Sequence, residues 1–128
     1  MEIDQWKELQ KQKRAPNYTH FDYRVSLDQC WDYVSNPEKV SHHGFYPFIH
    51  YEKESRKIKS GKRTDPKIRN IYYAAHLDGW IYKYSAFQLN ELYNQRVCAD
   101  GIESVGVAYR TDLGKNNIHF AHEAFQFI

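Results

Sequence analysis

Eight of the chain's eighteen lysines and arginines fall between Lys53 and Arg69: Lys53, Arg56, Lys57, Lys59, Lys62, Arg63, Lys67 and Arg69. Only Glu54 and Asp65 oppose them in that stretch. The whole chain of 128 residues has a formal net charge of only +2, so no overall field draws in a polyanion and any basic surface must be local. Cations clustered this way in a near-neutral chain are the footprint of a phosphate-bearing partner. Lys59, Lys62 and Arg63, around the central Gly61, are the ones expected to meet a nucleic-acid backbone. The same pattern also suits a solvated hairpin tip whose lysines guard against edge pairing.

Other reactive side chains are less well arranged. His42 and His43 are adjacent and point different ways in most backbones, and no C-x-x-C or H-x-x-x-H spacing lies near them. His119 and His122 stand three apart on a predicted helix, but two ligands do not make a site. Structural or surface roles are therefore expected for all the histidines, with no metal site. Cys30 and Cys98 do not form a disulfide framework and read as reduced, structural thiols of a cytoplasmic protein. No nucleophile elbow, phosphate-binding glycine loop or dinucleotide fingerprint occurs, so no catalytic residue is assigned. No apolar run approaches a membrane span, and no membrane partner is expected.

The elements that would carry the cations can be read from periodicity. Phe48 to Ile58 reads as a strand, and SRKIKSGKRT over residues 55–64 as a turn centred on Gly61. Asp65-Pro66 opens a second strand. Lys67 to Ala74 alternates, with Ile68 and Tyr72 on one face and Lys67, Arg69 and Ile71 on the other. Asp78 then offers an oxygen at a helix start. Trp80, Ile81, Tyr84, Phe87 and Leu92 form one apolar line along that helix, and Tyr82, Ala86, Leu89 and Tyr93 a second. Such a helix is expected to be covered on more than one side.

Flanking segments read as support. Ile3, Trp6 and Leu9 mark a short helix with little apolar surface, expected on the outside. Ser26 and Gln29 fit a capping box before the apolar face Leu27, Cys30, Trp31 and Val34, and Asn36-Pro37 stops that helix. Asp100-Gly101 closes the central helix, Ser104 to Tyr109 is strand-like, and Asn116 or Asn117 caps a last helix. Ile118, Ala121, Ala124, Phe125 and Ile128 share one face of it. The expected fold class is α+β: helices packed around a central helix with a basic antiparallel β-hairpin, in one subdomain over residues 1–128. Its N-terminal helices occupy residues 1–40. Because Ile128 ends the chain in mid-pattern, the sequence reads as cut from a larger protein, with Phe125 and Ile128 left to drive self-association.

The order of these pieces resembles a known family. The run Lys67-x-Arg69-x-Ile71, the strand end, Asp78 and the helical Leu89-x-x-x-Tyr93 resemble the first conserved block of bacterial reverse transcriptases. Ala108-Tyr109-Arg110, then Gly114-Lys115-Asn116 and Ala121, resemble their second block. HHGFYPFIHYEK, residues 42–53, resembles the lead-in found in retroelement and phage-defence enzymes. The resemblance spans residues 41–128. Asn70 and Thr111 stand where group II intron enzymes have proline, which points to another bacterial branch.

The resemblance implies the N-terminal fingers of an RNA-directed DNA polymerase, whose partners are an RNA template, a DNA or RNA primer and a deoxynucleoside triphosphate. It implies Arg69 as the triphosphate-contacting arginine, helped by Lys67 or Lys57, with Arg110 and Lys115 near the template. The planar fork of an arginine suits two phosphate oxygens at once. The metal-binding aspartates and Mg2+ would belong to a palm that is absent from these residues, so the chain alone is expected to be inactive. Two other readings of the residues stay open: a self-contained RNA- or DNA-binding module, and a structural domain with solubilising charges.

Overall fold

The computed structural model describes residues 2–13, 18–56, 65–103, 105 and 113–126, together with the backbone of 58–59 and 62–63. In order, the elements are α1 (Ile3–Gln12), α2 (Leu27–Val34), α3 (Pro37–Ser41), β1 (Ile49–Ser55), β2 (Ile58–Lys59), β3 (Lys62–Arg63), β4 (Lys67–Tyr73), α4 (His76–Ala99) and α5 (Asn117–Gln126). The class is α+β, with five helices and an antiparallel hairpin among the described residues. The chain divides into two compact units, residues 15–82 and residues 1–14 with 83–128.

Residues 15–82 contain the hairpin and the first turns of α4. Local signals set their boundaries. Ser26 Oγ accepts from the Gln29 N–H, and Gln29 Oε1 accepts from the Ser26 N–H at 2.9 Å, which is the reciprocal capping box. Leu27, Cys30 and Val34 are the buried stripe of α2. Burial pushes the Cys30 thiol up, as suits an inert packing residue. Asn36 caps α3 by accepting from the Glu38 and Lys39 N–H groups at 3.0 and 3.1 Å, with Pro37 pre-set at the first helical position. Because the Ser26 cap supplies orphan donors with a partner, Ser26→Ala is expected to cost about 1 kcal/mol in a urea unfolding curve.

The start of α4 differs from the sequence expectation. The helix begins at His76, two residues before Asp78, and the side chain that caps it comes from far upstream: Asp22 Oδ2 accepts from the His76 N–H at 2.7 Å. Asp78 lies in the first turn and is only 1% exposed. Its Oδ1 accepts from His43 Nε2 at 2.8 Å and its Oδ2 from the Tyr46 N–H at 2.9 Å. With Nε2 donating to Asp78, Nδ1 of the same ring lies 3.0 Å from the Tyr33 hydroxyl. Phe45 and Phe48 then stack on Tyr82, at 5.2 and 5.9 Å between ring centres. The aromatic turn 43–48 is thus bound to the first two turns of α4.

In residues 1–14 and 83–128, α1 is better anchored than its few apolar residues suggest. Trp6 is 5% exposed, with its indole 5.7 Å from the Tyr84 ring and 5.2 Å from Phe87. The helix lies on the outside as expected, exposed along most of its length, and Trp6, its one buried residue, supplies the apolar area that docks it. Beyond Phe87 the expected covering of α4 on two sides is not seen. Val97 is buried, whereas Leu89, Leu92 and Tyr93 are exposed. The helix ends as the sequence indicates: Gly101 takes φ +64°, and the Ile102 N–H reaches back to the Val97 carbonyl. Asn116 caps α5, and none of the helix's described side chains is buried; Ile118 and Phe125 are exposed. The expected strand at 104–109 falls almost wholly outside the described residues. No described helix is long and apolar enough to cross a membrane.

Candidate nucleic-acid interface

Register decides which cations share a surface. In the β1–β4 ladder Ile49 faces Tyr73, Tyr51 faces Ile71, Lys53 faces Arg69 and Ser55 faces Lys67. Side chains directly opposite in an antiparallel pair lie on the same face, and alternate residues along a strand lie on opposite faces. One face of the hairpin therefore carries Ile49, Tyr51, Lys53, Lys67, Arg69, Ile71 and Tyr73. The other carries His50, Glu52, Glu54, Ile68, Asn70 and Tyr72. All three cations of the ladder are on the first face, and both glutamates are on the second.

No described carboxylate on the first face neutralises these cations. Lys53, Lys67 and Arg69 are exposed and have no acidic partner among the described residues. Glu54 instead pairs with Arg56, at 2.6 Å. Two like charges directly across a ladder cost roughly 0.2–1 kcal/mol, so the Lys53–Arg69 pair is an expense the fold carries without local return.

The same face is aromatic at the end of the ladder nearer α4. Tyr73 stacks on Tyr18 at 4.7 Å and donates its hydroxyl proton to the Thr19 carbonyl, so it is committed to packing. Tyr51, next in line to Lys53, keeps an exposed edge. A cleft of about 450 Å³ opens here, lined by Tyr18, Phe21, Ile49, His50, Tyr51 and Tyr73. Phosphate-sized charge beside aromatic walls suits a single strand, whose bases are free to stack while its backbone meets the cations. Tyr72 lies on the opposite face, stacked on His50 at 4.6 Å.

The expected site residues divide as follows. Arg69 and Lys67 stand on β4 as described, and Lys53 joins them through the register. Lys59 pairs with Lys62 and Ile58 with Arg63 in the inner ladder, but the side chains of these residues lie outside the description, as do Lys57 and Arg110 entirely. Lys115 belongs to the other compact unit, where it pairs with Glu123 at 2.5 Å and lies 5.9 Å from the centre of the Phe120 ring. Its charge is already answered locally.

A second cluster was not visible in the sequence. His20 Nδ1 lies 3.3 Å from Asp22 Oδ1, and His76 Nδ1 lies 3.0 Å from Asp22 Oδ2. Burial alone would raise the Asp22 carboxyl, but hydrogen bonds from the His76 backbone and ring outweigh it and hold the group below its ordinary value. Stability linked to Asp22 is therefore present above the ordinary aspartate range and fades as pH falls through the lowered value. The only linear signal was His20-x-Asp22; the third member lies 54 residues further on. Compared with known protein families and with curated proteins, the chain matches none.

Proposed function

We propose that this chain binds single-stranded nucleic acid on the cation-bearing face of its β1–β4 hairpin, and that it does so as the fingers part of an RNA-directed DNA polymerase. One observation carries the first clause: Lys53, Lys67 and Arg69 share a face from which every carboxylate of the ladder is excluded. The order of the pieces supports the second, since the basic hairpin runs straight into a long helix, as in the reverse-transcriptase blocks it resembles. His43 and Asp78, one from the lead-in and one from the first block, are also hydrogen-bonded to each other. In that role Arg69 and Lys67 hold the triphosphate of the incoming nucleotide, and the aromatic cleft guides the template strand.

Fluorescence anisotropy with a labelled single-stranded RNA, at stepped salt concentrations, tests the first clause. Log affinity is expected to fall linearly with log salt, with a slope of about 0.7 per phosphate contacted. Affinity that does not change with salt would remove the hairpin from consideration. For the second clause, a deoxynucleoside triphosphate should displace part of the bound RNA. Arg69→Lys should weaken that competition by about tenfold, through loss of the two-pronged guanidinium contact, while leaving RNA affinity within about threefold. Equal loss of both would keep Arg69 as an RNA contact and withdraw the nucleotide role.

A further inference from the structure

We propose that His20, Asp22 and His76 form a binding site for a divalent transition-metal ion of the zinc type. One ligand atom from each residue lies within 4.8 Å of the other two, and all three residues are part-buried, open enough for an ion to enter. The two nitrogen–oxygen separations, 3.3 Å to Oδ1 and 3.0 Å to Oδ2, fall within the spacing of neighbouring ligands around such an ion. With bonds of about 2.0–2.1 Å, that spacing is about 2.8–3.4 Å in octahedral or tetrahedral geometry. Two imidazoles and one carboxylate are a common donor set for a borderline cation, and water would complete the coordination.

The simpler account, that Asp22 is only a helix cap, explains part of the cluster. Capping needs one carboxylate oxygen and the His76 N–H. It does not require His20, which turns its Nδ1 to the other oxygen and lays its ring over His76, 3.8 Å between centres at 32°. A carboxylate only accepts, so both Nδ1 atoms carry protons in this arrangement. On binding, each Nδ1 gives up its proton, to Nε2 of the same ring where that nitrogen is free and otherwise to solvent, and the freed lone pairs take the metal. The His76 backbone N–H stays on Asp22 and fixes the carboxylate, as outer hydrogen bonds do for metal ligands. Loaded, the site would tie the extended segment around residues 20–22 to the start of α4.

The experiment is a titration of the intact chain with Zn2+ by calorimetry and with Co2+ by visible absorption. One equivalent is expected to bind saturably, to give the d–d bands of a site with nitrogen and oxygen ligands, and to raise Tm. His20→Ala should weaken binding by at least about tenfold and abolish the Tm shift. His20→Gln serves the same purpose should the alanine variant melt early, because it keeps a polar side chain of similar reach. His119→Ala/His122→Ala should bind as the parent does. Binding unchanged in both His20 variants, or lost in the His119/His122 variant, would overturn the assignment, as would the absence of saturable binding in the parent chain.

Discussion

Asp78→Ala is expected to lower the unfolding free energy by about 3 kcal/mol. The carboxylate is 1% exposed and accepts two hydrogen bonds, one from the His43 ring and one from the Tyr46 N–H. Removing it leaves the His43 ring N–H and the Tyr46 N–H without their protein acceptor, at about 1–3 kcal/mol for each that water does not reach. Part of that is recovered as the chain relaxes around the smaller side chain. Asp78→Asn is the sharper comparison: its one amide oxygen serves one donor, and its NH2 must then face the other. A loss of more than about half of the alanine effect is expected, read as a fall in the urea midpoint with an unchanged m-value. His43→Phe in the Asp78→Ala background should cost much less than in the parent chain, because the partner is already gone. Additive effects would mean that the pair is not coupled and that the turn 43–48 is held by its aromatic stacking alone.

That network also marks where sequence reading ran out. Local signals placed what local physics determines. The Ser26–Gln29 box, Asn36-Pro37 as the stop of α2, Gly101 after α4 and Asn116 before α5 all act within five residues and are legible, whereas the short helix α3 that Asn36 caps is not. Asp78 was legible as a residue of importance near a helix start, but its job was not. A cap and a buried acceptor look the same in sequence, and the choice was made by Asp22, 54 residues upstream of His76. Trp6 shows the same limit, since one large ring can anchor a helix whose other positions look solvent-facing. Alternation put Lys67 and Arg69 on one face from sequence alone. Adding Lys53 to that face, and sending Glu52 and Glu54 to the other, needs the register of β1 against β4, which depends on how the intervening turn closes. The apolar residues of α4 ran on two lines, and covering was expected along the whole helix. Its second half leaves Leu89 and Leu92 exposed.

Replacing Lys53, Lys67 and Arg69 together by glutamine is expected to weaken single-stranded RNA binding by about a hundredfold at 0.1 M salt, and to leave the fold slightly more stable. The first figure follows from counterion release. Each lost phosphate contact on a single strand removes about 0.7 from the log–log slope, and three remove about 2. Extrapolated to about 1 M salt, where release contributes little, the parent and the variant should converge. The second outcome follows from the register, because the variant no longer sets Lys53 against Arg69 across the ladder, a repulsion of roughly 0.2–1 kcal/mol. Binding and stability moving in opposite directions is the signature of residues kept for a ligand and not for the fold. Glu52→Gln/Glu54→Gln is the matched control. It changes the hairpin's charge by two units on the other face, and should alter affinity by less than about threefold if the partner reads one face. Should the control shift binding as strongly as the triple variant, only the total charge of the hairpin would matter. RNA affinity and slope unchanged in the triple variant, with normal melting, would sink the interface itself and leave the lysines as guards of an exposed strand pair.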